Sequence, residues 1–159
     1  MISAPLAGVV HPLADIPDRA FADEMLGPGI ALYPMSEGTV SVHAPASGLI
    51  RTIHPHAFVL QVSPKLAALV HLGVDTYRAD EQQFTTLVEQ GRYVNRRDPV
   101  IEWNITETVG ADFLPWVVIT ILGFKPDEMT LEMIAQAEQN VSQGQDLLFL
   151  QTEAEPEDG

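Results

Sequence analysis

Two histidines carry most of the chemistry this sequence can offer. His71 closes an apolar run in LVHLGVDT, and Asp75 follows four residues later, close enough to orient or hydrogen-bond a reactive group. His56 lies upstream in HPHAFVLQV, with His54 two residues before it. Imidazole is neutral near pH 7, nucleophilic, and a good enough leaving group to give up what it has taken. A second imidazole beside it can donate a hydrogen bond to negative charge developing on a transferred group. Gly73 lets the backbone bend or approach closely just past His71, and amides near it could add donors. A different chemistry is open to His54-Pro55-His56, because two histidines one residue apart on a strand share a face and can bind zinc.

These side chains need elements to hold them. The runs carrying His56 and His71 read as strands that meet at a turn, Ser63-Pro64-Lys65. If the hairpin is centred between Ser63 and Pro64, His56 faces His71 directly. If the turn is Ser63-Pro64-Lys65-Leu66, with Pro64 in its favoured second position, the two are diagonal neighbours. Both registers place the imidazoles on one face, roughly 5 to 8 Å apart at Cβ. Only an odd-length loop puts them on opposite faces. The same geometry also describes a purely structural pair.

Strand signals dominate the rest. Ile2–Val10 is a short apolar segment, followed by the polar turn HPLADIPD, in which His11 reads as a surface histidine with no role. Asp18–Leu26 reads as a helical turn or irregular segment, with Phe21 and Met25 on one face. Strands are expected at Ile30–Tyr33, Thr39–Val42, Gly48–Ile53, Trp116–Leu122 and Gly144–Leu150. Arg78–Gln90 reads as helical, with Phe84, Leu87 and Val88 at helical spacing and Gly91 as its stop. Met129–Ala137 reads as a short helix. Val94–Trp103 contains a turn, Asn95-Arg96-Arg97-Asp98, in which Asn or Asp is the expected carrier of a positive φ. The fold class expected is all-β, a barrel-like β-sandwich of short antiparallel strands with short helical insertions.

Composition bounds the partners. At 159 residues the chain is one domain by length, with 46% hydrophobic residues and scattered prolines and glycines that suit many short strands. There is no cysteine, so disulfides and thiolate metal sites are excluded. No basic leader precedes an apolar run, and no apolar stretch is long enough to span a membrane, so a cytoplasmic protein that is not membrane-embedded is expected. The net charge is −14, from 8 basic against 22 acidic residues. Nucleic acid, which needs clustered Lys and Arg, is therefore an unlikely partner beside a basic or apolar protein surface. Residues 1–152 read as a single domain and 153–159 as an acidic, flexible tail.

HLGVDT, the preceding HAF and AFADEMLGPGIALYP, with APLAGVV, VHAPASGLI, PVIEW and PWVVIT in the same order, resemble glucose-type enzyme IIA of the bacterial sugar phosphotransferase system. The resemblance runs from about Ser3 to Leu150. It implies a phosphotransferase component with a phosphohistidine intermediate, His71 matching the phosphorylated histidine and His56 the supporting one. Its partners would be the histidine-phosphocarrier protein, which donates the phosphoryl, and a cysteine of a sugar permease's IIB domain, which accepts it. Asp75 matches a flanking acidic residue with a subsidiary role, and Phe21 an apolar patch where partners dock. No cofactor is required, though His56 and His71 could complete a zinc site with a partner's carboxylate. Relatives usually carry threonine where His54 stands, and a glycine in the turn occupied here by Asn95–Asp98. A regulatory or zinc-binding interaction module that binds target proteins is the alternative. A metallopeptidase also combines an H-x-H element with a His-to-Asp spacing of four, but in the opposite order.

Overall fold

The computed structural model describes residues 1–152; the acidic stretch 153–159 lies outside the described residues. Strands are numbered β1–β14 along the chain. The largest sheet runs β13 (Asn140–Val141), β2 (Gly8–His11), β3 (Gly29–Pro34), β11 (Val117–Leu122), β7 (Ala67–Leu72), β6 (Ala57–Gln61), β5 (Gly48–His54) and β9 (Tyr93–Val94), all antiparallel. A second sheet joins β1 (Ile2–Ser3), β14 (Asp146–Thr152) and β12 (Met129–Met133), and a third joins β4 (Thr39–His43), β10 (Pro99–Asn104) and β8 (Phe84–Thr86). The expected all-β sandwich is what forms, with two short helices, α1 (Arg19–Ala22) and α2 (Ile105–Gly110).

Side-chain alternation along the large sheet separates two cores. Val10, Leu32, Val117 and Leu72, with Ile30, Ile119, Val70 and Phe58, turn inward and meet the two smaller sheets in the main core around Trp103, Ile101 and Leu147. On the opposite face, pairing aligns His11, Ala31, Val118 and His71 in one row across β2, β3, β11 and β7. Leu13, Ile16 and Phe21 fold over this row, burying Ala31 and Val118 with Val74 in a second, smaller core. Asp18 starts α1 by accepting a hydrogen bond from the Ala20 amide at 3.0 Å, which sets Phe21 into that layer. His71 therefore stands at the border of a buried apolar layer.

Several local readings change in three dimensions. Arg78–Gln90 is not a helix: Thr76–Arg78 and Glu81–Gln83 form 3-10 turns, and Phe84–Thr86 is strand β8. Phe84 stacks near-parallel on Trp103 at 6.2 Å while β8 pairs with β10, so tertiary pairing overrides the helical spacing. Met129–Ala137 is likewise no helix; its first half pairs with β14 as strand β12. In the Asn95–Asp98 turn the left-handed residue is Arg97, φ 78°, rather than Asn95 or Asp98. The Asp98 carboxylate is engaged by the Asn95 amide at 2.8 Å, while Arg97 donates its amide to Ala44 O and its guanidinium to Gly144 O. His11 is no loose surface residue: its Nδ1 lies 2.9 Å from Asp15, and its ring packs edge-on to Trp116 at 4.9 Å. Helix α2 escaped the sequence reading although Asn104 and Glu107 have cap spacing; Asn104 Oδ1 accepts the Glu107 amide at 3.0 Å.

Candidate functional site

His71 is the last but one residue of β7, on the outer face of the sheet. Its Nδ1 lies 2.8 Å from the Gly73 carbonyl oxygen. A carbonyl can only accept, so Nδ1 carries the proton and the neutral ring keeps its lone pair on Nε2. Phe21 packs against the ring at a centroid distance of 5.2 Å, tilted by 57°. With 8% of its surface exposed, Phe21 belongs to the small core and walls one side of the histidine.

The carbonyl of Gly73 reaches back to His71 because this residue adopts φ +85°. A Cβ there would sit 2.3 Å from Thr76 Cγ2. Thr76 cannot easily yield, since it is buried and its hydroxyl donates to Leu72 O at 2.5 Å. Gly73→Ala is therefore expected to cost about 1 to 3 kcal/mol of stability and to loosen the His71 hydrogen bond. Urea unfolding measures the first effect and the imidazole nitrogen shifts the second; a variant with wild-type values of both would refute it. The Gly73 amide, expected as a donor to the transferred group, is instead committed to Trp116 O at 2.7 Å, and the next amide, Val74, to Leu114 O.

His56 arrives by a different route from the one its strand implies. β6 and β7 pair with Ala57 opposite His71, and Val62–Leu66 forms an odd-length loop between them. Neither expected register holds, and strict alternation would send residue 56 to the far face. His56 is not in the strand, however. It occupies, with Pro55, the two-residue loop between His54 and Ala57, so its side chain is free of the pleat. Its ring meets that of His71 at 5.0 Å, nearly perpendicular, while its carbonyl accepts the Leu72 amide. His54 ends β5 and stacks on His56 at 6.0 Å and 24°. The three imidazoles form a row.

Asp75 takes the left-handed conformation, φ 61°, beyond Gly73. Its carboxylate makes no hydrogen bond to His71; its influence is through charge. Asp18, at the start of α1, exerts the same influence from a distant part of the chain, and sequence spacing gave no sign of it. Burial nevertheless dominates and lowers the His71 pKa, against the opposing effects of the Gly73 carbonyl, Asp18 and Asp75. His56 is pushed from 6.5 to about 4, first by burial and then by His71 and His54. Both rings are neutral at pH 7.

Among the described residues no group of three or more His, Cys, Asp or Glu side chains could hold a metal ion. His56 and His71 would supply two ligands of the four a closed zinc site takes. His54 stacks on the far side of His56 from His71, and the H-x-H element is divided between a strand end and a turn.

Residues 1–125 match the family described as the phosphoenolpyruvate-dependent sugar phosphotransferase system, EIIA 1. The chain belongs to this family. The solved structure of the glucose permease IIA from Mycoplasma capricolum aligns over 92% of this chain and 92% of its own, with a TM-score of 0.80 and 29% sequence identity. The protein is accordingly a phosphocarrier component of a sugar phosphotransferase system. No helix among the described residues is long and apolar enough to cross a membrane.

The depressed histidines of this EIIA-family chain give a signed pH dependence. Between about pH 4 and 6.5 the unfolded chain binds more protons at residue 56 than the folded one does. The stability that neutral His56 permits is complete above 6.5 and is lost as pH falls toward 4. Urea midpoints should fall less steeply over this window in His56→Gln than in the wild type. Parallel curves would show that residue 56 titrates alike in both states.

Proposed function

We propose that the chain accepts a phosphoryl group on His71 Nε2 from the histidine-phosphocarrier protein and passes it to a cysteine of a sugar permease's IIB domain. The observation that best supports this is the Nδ1–H bond to the Gly73 carbonyl, which leaves Nε2 as the nucleophile. The Nε2 lone pair attacks phosphorus while the donor's P–N bond breaks, its electrons returning to the donor imidazole. In the onward step the acceptor thiolate attacks, and the P–N electrons return to His71 Nε2. The Nδ1 proton stays in place throughout.

His56 donates a hydrogen bond to the phosphoryl oxygens. Neutral before the reaction, it is drawn toward protonation when two negative charges arrive beside it. Asp75 and Asp18 repel a phosphoryl that strays toward them and confine it to the histidine side. Phe21 forms an apolar wall, and the exposed Met25 and Leu26 come shortly after α1, beyond Asp23 and Glu24, which suits docking of a protein partner there. The chain has no cysteine, so a receiving sulfur is not one of its own side chains. This chemistry takes place in the cytoplasm and requires no cofactor. Zinc would bind through His56 and His71 only with ligands from a partner's carboxylates, and target proteins regulated by phosphorylation state would use the same surface.

Incubation with phosphoenolpyruvate, enzyme I and the histidine-phosphocarrier protein tests the reading. Acid-labile label on the wild-type chain is the expected result; absence of label, with a positive-control IIA labelled in parallel, overturns it.

A further inference from the structure

His56 keeps its place without a hydrogen bond on its ring from any described residue. It stands in a turn, outside the pleat, and its ring neighbours are the imidazoles of His71 and His54. A cleft of about 210 Å³, lined by His54, Pro55, His56, Thr76, Tyr77 and Glu81 among others, opens beside it. An unrestrained His56 has room to swing into that cleft and away from His71. Two features oppose this. Pro55 has a fixed φ, which removes one of the two backbone torsions between residues 54 and 56. The His54 ring lies nearly parallel to His56, at a distance where aromatic pairs attract.

We propose that His54 is a positioning residue: its imidazole stacks on His56 and holds that ring perpendicular to His71, where a hydrogen-bonding partner would otherwise be needed. The device is one of shape. A flat ring at position 54 covers one face of His56, whether or not it can carry a proton or donate a hydrogen bond. The kinetic consequence rests on the phosphotransfer reading above; the structural consequence does not.

His54→Ala and His54→Phe separate the roles, and position 54 is exposed, so both variants should fold. The first measurement needs no partner protein: three-bond couplings about χ1 of His56. One rotamer is expected in the wild type and in His54→Phe, and averaging between rotamers in His54→Ala. The second is single-turnover transfer from phosphorylated protein to a IIB cysteine. His54→Ala should slow it roughly two- to tenfold, in the limiting rate constant rather than the half-saturating concentration of acceptor, and His54→Phe should restore it to within about twofold. A single His56 rotamer in His54→Ala overturns the proposal. So does a His54→Phe variant as slow as His54→Ala, which would assign the role to a proton or a donor instead. If the wild type takes no label, the phosphotransfer reading fails, and the couplings still decide the positioning role.

Discussion

Replacing His71 by alanine should abolish phosphoryl labelling of this protein. The expectation is absolute rather than graded because the variant removes the atom to which, in the proposed reaction, the group is bonded. Among the described residues no other histidine shares its surroundings. His56 and His54 lack a carbonyl partner to fix the proton on one nitrogen, and His11 and His43 have their Nδ1 atoms against Asp15 and the Arg97 carbonyl, without the Phe21 wall. A lone pair directed by Nδ1–H···O=C and a ring walled by Phe21 occur together only at residue 71. Labelling should therefore fall to background, and peptide mapping of the wild type should find acid-labile phosphate on His71 alone. A circular dichroism spectrum matching the wild type excludes loss of fold as the cause. Persistent label in His71→Ala under matched conditions would reassign the nucleophile.

The second large effect separates the partner histidine from the nucleophile. In the proposed reaction His56 forms no bond to phosphorus; it stabilises charge that develops on the moving group. Loss of one such donor typically costs on the order of a hundredfold in rate. His56→Gln retains an amide donor of similar reach but cannot become positive. Acceptance of phosphoryl from the histidine-phosphocarrier protein should continue, while onward transfer to the permease cysteine slows by about that factor. The asymmetry has a reason in the pKa values. With His56 at about 4, a neutral donor suffices while the group is arriving. In the proposed reaction the phosphorylated state draws a proton onto the ring, and the departing step depends on that charge. Rapid-quench measurement of both half-reactions decides the point. If His56→Gln alone abolishes labelling while His71→Gln still accepts phosphoryl, the two roles are the reverse of those assigned.

Much of this site was legible before any coordinates. HLGVDT already contains the proposed nucleophile, the glycine that must adopt positive φ and the flanking acid, because these lie within one turn of chain and depend on local geometry. The β-branched run Val117–Ile121 likewise marks a strand buried on both faces, which pairs with β3 and β7 at the centre of the large sheet. Local periodicity failed where long-range pairing competes with it. Phe84, Leu87 and Val88 have helical spacing, yet Phe84 gains more by stacking on Trp103 within the core.

Residue types and their order alone determined the all-β class, the family resemblance and the choice of imidazole chemistry. What only tertiary structure decided is how the imidazoles meet. The sequence places His56 and His71 on strands, and parity then makes their meeting depend on a loop length that cannot be read locally. The actual register is the unfavourable one, with Ala57 opposite His71, and the pair forms because the Pro55-His56 turn releases residue 56 from the pleat. The same holds for the Gly73 carbonyl that sets the tautomer, and for Asp18 and Phe21 arriving from the N-terminal segment. Spacing along a chain specifies which groups can be neighbours within a turn or two. Contacts between distant segments, and the burial that holds both histidines neutral, exist only once the sheets have closed on one another.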